Sequence, residues 1–420
     1  MKNYLLVAYA YPPISAPGAV RATRQIAHLE PLGWRATVVT VQDGYSLRKG
    51  GLADPLDNQG GRLLRIKDPV AQAHGRIIAP SSEAPSLRQR VLGRLKALAN
   101  AVIFPDRSIL WALGVRKMAK AIPNDFELVY SSSPTASSHL AGYFLARRLG
   151  VPWIAEFRDP LSWISEKNTM GAIRRSLLCK YEAWVVKRAD AVVVVSEAFA
   201  EYFSGLYPDA DIVSIANGAV FDETQLKAVL DARAARGQGE KLRLVHTGSF
   251  YNGERPIAPL IEAVKLAQEK HAVACEILCA GNDAHLATAA AKELGCLEMV
   301  KDLGVLSHAE TVDLLQSADA TLSLLHNEDL GKISIMSKFL DYLPAGAPIL
   351  NLGAHDAMLS RIIREDSAGG SFEYGDTDAI AAWIADLPNM AQPDTVALCQ
   401  KWSAENMAKN VADLMARVLG

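Results

Sequence analysis

Cysteine is scarce in this chain and never patterned. The five cysteines, Cys179, Cys275, Cys279, Cys296 and Cys399, include no CxxC pair, which argues against a disulfide framework or a cysteine metal site. Buried thiols in a reducing cytosol are expected instead. Long hydrophobic runs are missing as well, since none approaches the roughly 18 apolar residues that span a bilayer. The first apolar run, Tyr4 to Ala10, is too short for a signal sequence and stops at Pro12-Pro13. A cytoplasmic protein is expected, at most peripheral at the inner membrane face. An excess of either charge is also absent: 44 Lys and Arg stand against 46 Asp and Glu, a net charge of −2. A general nucleic-acid role therefore has no electrostatic support. No GxGxxG, no Walker GxxxxGK[ST] and no GxSxG elbow occurs. Two DxD matches, Asp209-Ala-Asp211 and Asp376-Thr-Asp378, fall in turn-like polar segments and read as solvated turns, so no metal and no resident cofactor is expected.

What the chain does have is alternation of strands and helices. At 420 residues it is too long for one ordinary α/β core. Apolar runs predict strands at 4–10, 34–41, 63–66, 127–131, 151–157, 191–195 and 212–215, with helical patterns between most of them. After a flexible stretch, Arg236-Gly237-Gln238-Gly239, the pattern restarts with strands at 242–246, 274–280, near Met299, 320–325 and 348–352. The reading is α/β, two tandem Rossmann-like domains over 1–218 and 219–395 that face each other across a cleft, followed by a helical segment over 396–420.

Several stretches carry candidate chemistry. Between the strands at 320–325 and 348–352 lies a polar loop, His326 to Met336, and then a short helix stopped by Gly346 and Pro348. Lys338 sits in that helix's first turn and Asp341 shares its face. A cation there opposes the helix dipole, and a bound phosphate would favour it. Gly248 to Arg255 follows the second domain's first strand, with glycines that let backbone approach a phosphate and an arginine that can grip it. Two cations on one sheet edge suggest a diphosphate; the plainer reading is two surface cations. In the first domain, Gly18 and Arg21 follow the first strand through the proline-rich loop 11–18, which reads either as a ligand loop or as an ordinary connection. Glu156-Phe157-Arg158-Asp159 ends a strand that should be buried on both faces, so its charges either pair or line a site, and a site is favoured. Residues 86–120 are basic around an apolar stripe, either a solvated face or a contact with an anionic membrane.

In combination these pieces resemble the GT-B-fold, nucleotide-sugar-dependent glycosyltransferases of family 4, which includes bacterial lipopolysaccharide and exopolysaccharide enzymes. The resemblance is carried by Tyr9-Ala-Tyr-Pro-Pro13 through Gly18 and Arg21, by Ala189-Asp190 through Val195-Ser196, and by Ile215-Ala-Asn-Gly218. It continues in His246-Thr-Gly-Ser-Phe250, Leu303-Gly-Val-Leu-Ser-His308 and Ser337-Lys-Phe-Leu-Asp-Tyr-Leu-Pro-Ala-Gly346. It implies a retaining, metal-independent transferase whose first domain takes a glycan or polyprenyl-diphosphate-linked acceptor. The second domain would bind the nucleotide sugar, and the last helix would return to the first domain. Gly18, Gly248, Arg255, Ser337 and Lys338 would meet the donor diphosphate, and Asp341 the donor ribose. Arg21 and Glu156 would lie on the acceptor side, with Arg158 and Asp159 at the reaction centre. The chain departs from the family's Glu-x7-Glu pattern, because Ile333 stands eight residues before Asp341; Glu328 or Asp329 is the expected replacement. Other readings of the same fold are a nucleotide-sugar epimerase or hydrolase, or a module that binds a sugar nucleotide without turning it over.

Overall fold

Valine-rich runs such as Ala191-Val192-Val193-Val194 have nothing polar to show to water, so they form strands that helices must cover on both faces. A computed structural model describes residues 1–14, 16–42, 54–58, 61–70, 103–161, 172–235, 241–326 and 329–420. Arg88, Arg90, Arg94 and Lys96 of the basic stretch lie outside these residues, as does Glu328. The chain divides into two compact units. One comprises Met1–Val195, Phe199–Ala216 and Ala404–Gly420; the other comprises Ser196–Ala198 and Asn217–Ser403.

The first unit runs β1 (Lys2–Ala8), α1 (Pro17–Leu29), β2 (Trp34–Val41), β3 (Arg62–Ile66), α2 (Ile109–Met118), β4 (Leu128–Ser132) and α3 (Ala136–Leu149). It continues with β5 (Trp153–Phe157), α4 (Ala172–Val186), β6 (Ala191–Val194), α5 (Glu197–Leu206) and β7 (Ile212–Ser214). The seven strands pair in parallel in the order β3-β2-β1-β4-β5-β6-β7.

In the second unit α6 (Glu223–Ala235) leads to β8 (Leu242–Thr247), α7 (Ala258–His271), β9 (Cys275–Ala280), α8 (His285–Glu293), β10 (Val300–Asp302) and α9 (His308–Gln316). Then follow β11 (Ala320–Leu324), α10 (Asp329–Ile333), α11 (Ser337–Tyr342), β12 (Ile349–Leu352), α12 (Met358–Glu365), β13 (Gly369–Phe372), α13 (Thr377–Asp386) and α14 (Thr395–Lys401). Six parallel strands pair in the order β10-β9-β8-β11-β12-β13. The final helix, α15 (Ala404–Leu419), belongs to the first unit, where Met407, Val411 and Leu414 join the core of Leu6, Ile26 and Tyr130. Helix α14 stays with the second unit, so the returning segment begins at Ala404.

Two elements depart from the expected layout. The stretch 326–336 holds the short helix α10 where a loop was expected. Strand β13 is Gly369-Gly370-Ser371-Phe372, which has no apolar pattern. It is a strand because β12 offers it a pairing edge, Ile349 opposite Gly369 and Leu352 opposite Phe372. In both sheets the strand order reverses beside the first strand, between β1 and β4 and between β8 and β11. Open parallel sheets bind ligands beyond the carboxyl ends of strands at such reversals.

Candidate functional site

At the reversal of the second sheet, the loop leaving β8 turns through Gly248, whose φ is +108°. Glycine is needed there twice over. A side chain would be strained at that φ, and a Cβ would overlap the Cε and Nζ of Lys338 from α11. The ammonium of Lys338 thus lies against the loop backbone. It is buried and meets no hydrogen-bond acceptor. Burial, and then the nearby Arg255 guanidinium, push its pKa down to about 7, while Asp283 and Asp341 pull the other way.

Arg255 is buried on the same edge. Its guanidinium lies 4.2 Å from the Tyr251 ring centroid, and its Nε has no partner. Burial lowers its pKa as well. The loop between these cations is held from below. Asp283, after β9, accepts from the Ser249 hydroxyl at 2.6 Å and from the Phe250 N–H, and Ser249 Oγ accepts from the Tyr251 N–H at 2.9 Å. His246 is buried under the loop, stacked on Phe250 with ring centroids 4.5 Å apart, and burial drops its pKa to about 3. Its ring is therefore neutral. Tyr342 closes the floor, donating to the Leu322 carbonyl at 3.1 Å.

Helix α11 begins at Ser337 after Met336, with no side-chain cap, and Ser337 and Asp341 are both exposed on it. The structure thus brings Gly248, Arg255 and Lys338 together, two desolvated cations around a backbone loop and no acid on the Nζ. Two residues of this pocket had no place in the sequence reading. Asp283 sits in a Gly-Asn-Asp turn at the end of the neighbouring strand, a signal that could have found it. Tyr251 has a φ of +53°, which nothing in the sequence announces. Ile333, at the position of the family's first acid, is buried. Asp329 opens α10, and nothing is described of its side chain.

The first unit gathers a second set. Helix α1 starts with Pro17 at its first position, no side-chain cap and no acid in its first turn. A Cβ on Gly18 would come 3.2 Å from Arg158 Nη1 and 3.1 Å from Pro134, so the glycine admits that guanidinium beside the helix start. Arg158 donates its backbone N–H to the Ser133 hydroxyl at 2.9 Å, while its side-chain Nε is buried without a partner. Burial lowers its pKa. Asp159 next to it is raised by burial, an effect that Arg158 partly offsets.

Arg21 and Glu156 are placed differently from the expected acceptor side. Both are buried, and Arg21 Nε donates to Glu156 Oε2 at 2.7 Å. Arg21 Nη2 also donates to the Ile215 carbonyl at 3.0 Å, and Glu156 accepts from the Ser132 and Tyr130 hydroxyls, each at 2.6 Å. Burial alone would raise the Glu156 carboxyl, but Arg21 and these donors hold it below its ordinary value. The pair ties α1 to β5 inside the unit and leaves no side-chain surface for a substrate.

Residues 18–218, just under half of the chain, match the family described as a glycosyl transferase 4-like domain. A search of curated proteins found no match. Among solved structures, HepE of Anabaena in complex with UDP is similar over 99% of this chain and 100% of that one, at 16% identity and a TM-score of 0.63. The lipopolysaccharide outer core galactosyltransferase WaaB, in apo form, is 13% identical with a TM-score of 0.62, covering 98% of each chain. Sucrose-phosphate synthase from Thermosynechococcus elongatus is 14% identical with a TM-score of 0.59, covering 100% of this chain and 95% of its own. The fold is of the GT-B type.

Proposed function

We propose that the chain is a glycosyltransferase that moves a sugar from a nucleoside diphosphate sugar to an acceptor. The observation that carries this reading is the buried, partnerless ammonium of Lys338 beside Arg255 and Gly248. Two desolvated cations without an acceptor wait for an anion of more than one charge, and a diphosphate fits. The match of residues 18–218 and the binding of UDP-glucose by HepE support the same class of donor.

In such a transfer the bond from the anomeric carbon to the diphosphate oxygen breaks, and an oxocarbenium-like state forms as charge builds on the leaving group. Lys338 and Arg255 meet that charge in a dry pocket, where it counts for more than in water. We read the transfer as retaining and metal-independent, with Asp341 on the donor nucleoside side, Gly18 and Ser337 at the donor diphosphate and Arg158 at the reaction centre. Asp159 is our candidate polar group at the reacting carbon. The acceptor is a glycan or a polyprenyl-diphosphate-linked sugar in the assembly of a surface or secreted polysaccharide.

Turnover and thermal-shift assays with UDP-, GDP- and ADP-sugars test the reading. One nucleotide class should stabilise the protein, and Lys338→Ala should cut turnover by about 100-fold or more, the usual cost of one lost donor to a developing charge. Unchanged donor affinity and turnover in that variant would overturn the diphosphate assignment. Donor consumption without an acceptor would point to hydrolysis or epimerisation instead, and binding without turnover to a sensing module.

A further inference from the structure

Two like charges held side by side without a ligand repel, and the pocket of the second unit must offset that repulsion. The Arg255 guanidinium pushes the Lys338 ammonium toward its neutral form. The charged groups that face Lys338 are Arg255 from the loop after β8, Asp283 from the turn after β9 and Asp341 on α11 itself, with His246 neutral beneath. Of the two acids, Asp341 is exposed and Asp283 half-buried, and Asp283 favours the ammonium more strongly. Yet the Nζ of Lys338 has no hydrogen-bond acceptor. Asp283 therefore supports the charge without occupying the group that would meet a ligand.

Both oxygens of Asp283 are engaged by the loop instead. Oδ2 accepts from the Ser249 hydroxyl at 2.6 Å and from the Phe250 N–H at 3.0 Å, and Oδ1 accepts from the same N–H at 3.1 Å. The Ser249 hydroxyl in turn accepts from the Tyr251 N–H at 2.9 Å, so it relays the carboxylate's hold to that residue. Tyr251 needs holding. It stands at φ +53°, a costly conformation for an aromatic residue, and is 49% exposed, so packing alone does not secure it. Its ring is the platform for Arg255, whose guanidinium lies 4.2 Å from the ring centroid. The ends of β8 and β9 also touch. The Gly248 N–H donates to the Ala280 carbonyl at 2.6 Å, and a Cβ on Gly281 would overlap the Gly248 carbonyl. That contact brings Asp283, two residues further on, beneath the loop.

We propose that Asp283 is a positioning residue of the diphosphate pocket: through Ser249 it fixes the Tyr251 ring that carries Arg255, and its charge lets two cations stand together before the donor arrives. The inference deepens the donor reading of this pocket and rests on it.

Isothermal titration of the full chain from about pH 6 to 9 tests it, with UDP, GDP or ADP as the probe, whichever the parent binds most tightly. Asp283→Asn and Asp283→Ala remove the same charge, but only the amide keeps an acceptor for Ser249 and Phe250. Asp283→Asn should therefore bind the nucleotide about tenfold or more tighter than Asp283→Ala at neutral pH. In Asp283→Asn, Lys338 loses an upward pull, so the pH above which affinity falls should lie lower than in the parent. A residue that only supported the fold would leave that pH where it is. Ser249→Ala keeps the charge and breaks the relay, so Kd should weaken by about threefold or more on the parent's pH profile. This variant and Asp283→Asn carry the test if Asp283→Ala does not fold. Binding by Asp283→Asn no tighter than by Asp283→Ala, a profile that Asp283→Asn leaves unmoved, or undiminished binding by Ser249→Ala would overturn the proposal. A parent that binds none of the three nucleotides would instead remove the donor reading, and this proposal with it.

Discussion

A lysine stripped of water and given no acceptor gains proton affinity as soon as an anion arrives, and Lys338 is held in that condition at about 7. The sign of the pH effect follows. Below pH 7 the ammonium is already charged and binding moves no proton. Above pH 7 the ligand-free side chain is increasingly neutral, so a diphosphate must bring a proton in with it, and affinity falls as pH rises. The diphosphate itself keeps its charge over that range, since its last proton leaves near pH 6. His246 stays neutral throughout, so it contributes no change. Kd for the stabilising nucleotide should weaken by about tenfold or more between pH 7 and 9. Lys338→Arg should remove the slope, because a guanidinium keeps its proton. Isothermal titration across that window measures it, and a flat profile in the parent would remove Lys338 from the phosphate.

At the level of elements, the ion pair between α1 and β5 belongs to the fold. Removing one partner of a buried pair strands the other charge, so Arg21→Ala or Glu156→Ala should each cost about 3–5 kcal/mol in denaturant unfolding of the first unit. The double variant Arg21→Met/Glu156→Gln should cost less than either single change, because no charge is then left buried. If the double change costs the sum of the two singles, the pair is not coupled. This pair marks the limit of what was legible in the sequence. Trp34–Val41 could be read to its ends, because a run rich in β-branched residues follows Gly33, whose φ is +89°. The meeting of Gly248, Arg255 and Lys338 on one sheet edge was legible for a similar local reason, since each follows a recognisable strand. Arg21 and Glu156 are 135 residues apart, and a charge at a strand end looks the same whether it lines a site or meets a partner folded onto it. Strand β13 was illegible for the opposite reason, since its identity lies in the edge of β12 and not in Gly369-Gly370.

For the molecule as a whole, the chain's last helix is a structural member of the unit that its first residues begin. Met407, Ala408, Val411, Leu414 and Met415 are buried against Ala22, Ile26 and Leu29 of α1 and against the sheet beneath. The second unit has its own sheet and two core clusters, the larger around Leu244, Ile277 and Leu322 and the other around Val245, Phe339 and Ile349. A chain ending at Ser403 therefore strips the first unit of five buried apolar side chains. At about 1.5–3 kcal/mol for each of the four larger ones, the loss is comparable to the whole stability that a unit of this size ordinarily holds. The truncated protein should show one early, broad transition for the first unit and a second at nearly the parent temperature for the other. Gly248, Arg255 and Lys338 all lie in that second unit. The stabilising nucleotide should still raise the later transition, while the proposed sugar transfer should be lost with the first unit's residues. Calorimetry of the truncated chain with and without nucleotide separates these outcomes. A single transition that the nucleotide leaves unmoved would show that the second unit does not hold the phosphate pocket by itself.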